Sequence, residues 1–73
     1  MSFQAYLNNV EKNTGKTMAQ LTALAISKGF TTDANSLSAG VKAGDVLAWL
    51  KEEFNLGHGH AMSVVAYLKG KRA

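Results

Sequence analysis

Apolar residues recur along this chain with the period of an α-helix, in four separate stretches. Phe3, Tyr6, Leu7 and Val10 follow the spacing i, i+3, i+4, i+7 that puts side chains on one helical face. Ser2 stands where an N-cap is needed, and Gly15 can take the left-handed conformation that closes a last turn. The second stripe is Met18, Leu21, Leu24 and Ala25. Thr17 precedes it, and Gln20 completes the threonine–glutamine spacing of a capping box. Gly29 followed by Phe30 predicts a helix end whose hydrophobic residue folds back on the last turn.

The third stripe is the strongest. Ala43, Val46, Leu47, Leu50 and Phe54 line one face, Trp49 and Glu53 flank it, and Lys51, Glu52 and Asn55 face water. Asp45 complements the positive end of that helix, while Gly44 weakens its first turn by roughly 1 kcal/mol relative to alanine. The fourth stripe is Ala61, Val64, Val65 and Leu68, with Tyr67 beside it and Gly70 as the stop. Residues 31–42 are small and polar without a sustained period, which predicts a loop with a helical turn near Asp33–Leu37. No stretch alternates with period two for the length of a strand. The pattern predicts an all-α fold: a small four-helix bundle, residues 1–73 in a single domain, with a glycine–histidine turn joining the last two helices.

Composition narrows the classes. There is no cysteine, hence no disulfide and no thiolate metal site. The apolar runs are too short to span a membrane, and the opening Met-Ser-Phe-Gln lacks the basic and apolar regions of a signal peptide. A cytoplasmic protein without membrane attachment is expected. The net charge of +3 is modest for a nucleic-acid binder. Lys69, Lys71 and Arg72 crowd the end of the chain, where cations also suit the negative end of a helix.

The stretch Leu56-Gly57-His58-Gly59-His60-Ala61 spends residues that a plain bundle would not need. One reading is architectural. Glycines at 57 and 59 permit positive φ, Leu56 plugs the core, and a histidine hydrogen-bonds helix-end groups. A second reading is anion binding by Gly57, His58, Gly59, His60 and Ala61. Gly59, His60 and Ala61 open a helix whose free N–H groups attract phosphate, and the imidazoles strengthen binding at mildly acid pH. In that form the helix–Gly-X-Gly–helix layout is similar to a helix-hairpin-helix element, except that His58 replaces the usual aliphatic residue. A metal site lacks a third committed ligand beside His58 and His60, with only Glu52 or Glu53 near in sequence, so no metal and no cofactor are expected. No serine carries a nucleophile motif, and a chain this short has little room for a water-excluding pocket, so an enzyme is not expected.

At the last two helices a family resemblance emerges. Ala48-Trp49-Leu50-Lys51-Glu52-Glu53-Phe54 and Leu56-Gly57-His58-Gly59-His60-Ala61-Met62, together with Phe3-Gln4-Ala5-Tyr6-Leu7 and Thr14-Gly15-Lys16-Thr17, resemble the signature of a family of small bacterial all-helical domains of unknown function. The stretch from Thr32 to Gly40 looks like extra or altered sequence relative to that family. The resemblance implies a short helical domain, sometimes joined to a second small one, and no reaction. The expected function is therefore non-enzymatic: a protein-interaction or dimerisation module, with Trp49, Met62 and Tyr67 as its candidate surface. The alternative is a phosphate or nucleic-acid-backbone binder through Gly57–Ala61, with nucleic acid the less favoured partner.

Overall fold

Each helix starts after an extended residue, and each ends on a residue with positive φ or one residue before a glycine that has it. The computed structural model describes residues 2–33 and 35–72. It contains α1 (Phe3–Thr14), α2 (Met18–Ser27), α3 (Ala43–Phe54) and α4 (His58–Leu68). The Ser2 hydroxyl accepts the Ala5 N–H at 3.2 Å, and Gly15 closes α1 at φ 72° with its N–H on the Glu11 carbonyl. Thr17 and Gln20 form both bonds of the capping box that starts α2. The Glu11 carboxylate accepts the N–H of Met18 at 2.7 Å, tying the end of α1 to the start of α2. Asp45 reaches back to the Lys42 N–H at 3.1 Å at the head of α3, and Asn55 ends that helix in the left-handed region at φ 55°.

Two helices end in the same double hydrogen-bond motif. After α2, Phe30 N–H bonds the Ala25 carbonyl and Gly29 N–H bonds Ile26. After α4, Lys71 N–H bonds Ala66 and Gly70 N–H bonds Tyr67. Both glycines have positive φ, 81° and 107°. The Phe30 ring packs on α3, 5.5 Å from that of Trp49.

The core is built around α4. This helix packs closely along both α1 and α3, and no other pair approaches as closely. Leu7, Val10, Leu21, Val46, Leu50, Val64 and Leu68 are buried together, and Leu56 joins the same cluster. α1 runs antiparallel to α4, since Phe3 lies near Ala66 and Lys71 while Tyr6 lies against Gly59 and His60. The radius of gyration is 10.9 Å, close to the ~11 Å expected for a compact chain of this length, so the described residues between 31 and 42 lie on the body of the fold.

That segment departs from expectation. No helical turn forms among the described residues near Asp33–Leu37. Thr31 and Leu37 instead make an isolated antiparallel bridge, Ser38 N–H bonds the Phe30 carbonyl, and the buried Thr31 hydroxyl donates to Ser36 O at 2.8 Å. The segment closes on itself because Leu37 and Val41 are half-buried against the core. Among the described residues no helix is long and apolar enough to cross a membrane.

Candidate functional site

The glycine–histidine turn is short because Asn55 turns the chain sharply and Gly57 leads straight into α4. Gly57 is the N-cap, at φ −66° and ψ 160°, an ordinary extended conformation. Neither Gly57 nor Gly59 has positive φ, so the expected conformational reason for these glycines does not hold. α4 also opens one residue earlier than expected, at His58. Gly59 therefore sits inside the first turn, where a Cβ would meet the Tyr6 ring at 3.6 Å, an ordinary contact. Replacing Gly59 with alanine is expected to raise stability by about 0.5–1 kcal/mol, because a helical position gains from losing glycine and the neighbour need not move. A shift of the urea midpoint to lower concentration would contradict this placement.

The earlier start changes which amides are free. Ala61 N–H bonds the Gly57 carbonyl at 2.9 Å, so it is spent in the first intrahelical bond, and Ala61 is fully buried. The open donors of the first turn are His58, Gly59 and His60, and no side chain caps them. Of the expected set, Gly57, His58, Gly59 and His60 thus share one helix end, while Ala61 belongs to the core.

The two imidazoles diverge. His58 is exposed and turns toward α3, where its Nδ1 lies 3.3 Å from Lys51 Nζ. An ammonium can only donate, so Nδ1 accepts and the ring proton belongs on Nε2. His60 turns toward α1, with its ring edge-on to Tyr6 at 5.2 Å and 67°. Its Nε2 is buried and meets no hydrogen-bonding partner. One imidazole thus joins a cation at the helix end, and the other packs as an aromatic ring. Among the described residues no group of three or more His, Asp or Glu could hold a metal ion. Glu53 is engaged by the Trp49 indole N–H.

The expected interaction residues separate as well. Trp49 is only 8 % exposed, with Phe30 and Phe54 against its ring, so it belongs to the core and not to a surface. Tyr67 is half-buried, and the Arg72 guanidinium stacks 4.0 Å from its ring centre. Met62 is open, at 42 % exposure. It borders a groove of about 350 Å³ between α1 and α4, lined by Phe3, Tyr6, Met62, Ser63, Ala66 and Lys71. The Lys71 ammonium lies 4.9 Å from the Phe3 ring centre at one end of this groove. Sequence reasoning missed Phe3 and Tyr6 as groove walls, because the stripe they share with Leu7 and Val10 reads as core.

Four of the five carboxylates, those of Glu11, Asp33, Asp45 and Glu53, accept N–H bonds. Among the described residues no lysine is paired with a carboxylate. The charges of the described lysines are therefore not neutralised by side-chain carboxylates, which a net charge of +3 alone does not reveal.

Residues 2–70 match a family described as a domain of unknown function (DUF4287). No curated protein and no solved structure matches the chain.

Proposed function

We propose that this chain, which belongs to the family described as a domain of unknown function (DUF4287), works as a binding module and not as an enzyme, joining a protein partner or a second copy of itself. The observation that carries this reading is the groove between α1 and α4 with Met62 open at its edge. A small chain cannot bury all its apolar side chains, and what stays outside is available for association. Phe3, Tyr6 and Ala66 give the groove apolar walls, and a methionine thioether adapts to varied partners. Ser63, the aliphatic hydroxyl in the groove, spends its proton on the Gly59 carbonyl at 3.0 Å, which supports binding over nucleophilic chemistry by that serine.

Sedimentation from micromolar to millimolar concentration tests the self-association form. The mass of the wild-type chain should rise reversibly, and Met62→Lys should remain monomeric with stability within about 0.5 kcal/mol of the parent, as for a surface site. A wild-type chain that stays monomeric throughout overturns dimerisation and leaves a different protein as the partner.

A second reading rests on the other end of α4. Lys51, His58 and three uncapped amides converge there, a donor-rich and positive arrangement suited to a phosphate or a nucleic-acid backbone. Inorganic phosphate should then shift the amides of His58, Gly59 and His60, and Lys51→Ala should weaken the effect. Absence of these shifts at millimolar phosphate would leave the turn as architecture.

A further inference from the structure

The three methionines are the only sulfur in this chain, which has no cysteine, so thiol oxidation is closed to it. Met1 lies outside the described residues. Met18 heads α2 from inside the core, at 7 % exposure. Met62 lies on α4 at 42 % exposure, and no other large apolar side chain of that helix is exposed. Of the helix positions one turn from it, Gly59 and Ala66 are small, Val65 is buried, and His58 turns toward Lys51 on α3. Little on α4 therefore covers the Met62 thioether.

An open thioether reacts with a peroxide. The sulfur lone pair attacks one peroxide oxygen, the O–O bond breaks, and the other oxygen leaves as water with both protons. Sulfur loses an electron pair, the peroxide gains it, and the product is the sulfoxide. At Met18 the new oxygen would enter the core and destabilise the fold. At Met62 it stays in water, so the helices and the core are left as they are. What changes is the edge of the α1–α4 groove. Phe3, Tyr6 and Ala66 present apolar surface there, and the Ser63 hydroxyl is already bonded to the Gly59 carbonyl. A side chain seated on those walls can lie against the thioether at no polar cost. Against the sulfoxide it would strip the new oxygen of its water.

We propose that Met62 is a reversible oxidation site whose sulfoxide closes the α1–α4 groove to apolar occupants while the fold stays intact. The inference rests on the reading of that groove as the binding surface. The oxidant is a peroxide, and the reverse step belongs to a reductase of the class that acts on methionine sulfoxide. The two events exclude each other: an occupant over the thioether keeps peroxide out, and the sulfoxide keeps the occupant off.

The test treats the folded chain with hydrogen peroxide at neutral pH and locates the added oxygen by mass spectrometry of its peptides. Met62 should be oxidised about tenfold faster than Met18, since susceptibility follows exposure, and the helical circular dichroism should not change. Toluene, which mimics a phenylalanine side chain and has no hydrogen-bond donor, is then titrated while the amides are followed. In the reduced chain it should shift Tyr6, Met62 and Ala66. Oxidation should abolish those shifts, and methionine sulfoxide reductase should restore them. Met62→Leu keeps an apolar edge without sulfur, so its toluene shifts should survive peroxide. The proposal is overturned if Met18 is oxidised as fast as Met62, or if helicity is lost with Met62 as the only oxidised site. It is equally overturned if the sulfoxide chain binds toluene as the reduced chain does, or if Met62→Leu still loses its shifts on peroxide treatment. A reduced chain in which toluene moves no groove amide overturns the groove reading itself, and the oxidation switch with it.

Discussion

Replacing Leu50 with alanine should cost about 2–5 kcal/mol, the range for truncating a buried leucine. Leu50 is fully buried on the face of α3 that meets α4, in the same cluster as Val46, Val64 and Leu68. A chain of 73 residues has a total stability of only about 4–11 kcal/mol, at about 0.05–0.15 kcal/mol per residue. The substitution therefore removes up to half or more of what holds the fold together. The small core also offers few neighbours that can collapse into the space left behind. Urea unfolding should show a lowered midpoint with an unchanged slope. A loss under about 0.5 kcal/mol, typical of a surface position, would place Leu50 outside the core.

The second large effect is expected at Gly70, where two independent constraints meet. Its φ of 107° is strained for any residue with a side chain, and a Cβ would lie 3.0 Å from the Asn35 backbone oxygen. That atom belongs to the 31–38 segment and cannot rotate away as a side chain could. Gly70→Ala should cost about 1–3 kcal/mol, the range for a strained backbone, and should displace amides of the segment that Asn35 anchors. Gly15→Ala is the matched control. Its φ is 72° but nothing lies within 4 Å of the added atom, so about 1 kcal/mol is expected and no distant amide should move. Equal losses at the two sites would show that the contact with Asn35 does not constrain the fold.

The helices were legible because their signals are local. A stripe repeats within one stretch, a cap lies within three residues, and Gly15, Thr17 with Gln20, and Gly29 behave as their spacing predicts. The site was less legible because its reasons lie elsewhere in the chain. Glycine at 59 reads equally as a φ requirement or as room for a neighbour, and the neighbour, Tyr6, is on α1. His60 looks like a ligand in sequence, yet the same tyrosine fixes it as a packed ring. Trp49 sits at the rim of its stripe, and only Phe30 and Phe54 closing over it decide that it is buried. The described residues between 31 and 42 carry no period because they are held by bonds such as that from Ser38 N–H to the Phe30 carbonyl and not by a repeat of their own.

The proposal that the α1–α4 groove is the working surface, and the histidine turn mainly architecture, is tested most directly by mapping where the chain binds small side-chain mimics. Phenol and isobutanol, standing for tyrosine and leucine side chains, should be titrated separately from inorganic phosphate while every amide is followed. The amides of Tyr6, Met62 and Ala66 should move first with the apolar probes, and Met62→Lys should suppress the response. Amides unmoved in the groove, together with saturable phosphate shifts at His58, Gly59 and His60, would contradict the account and transfer the function to the turn.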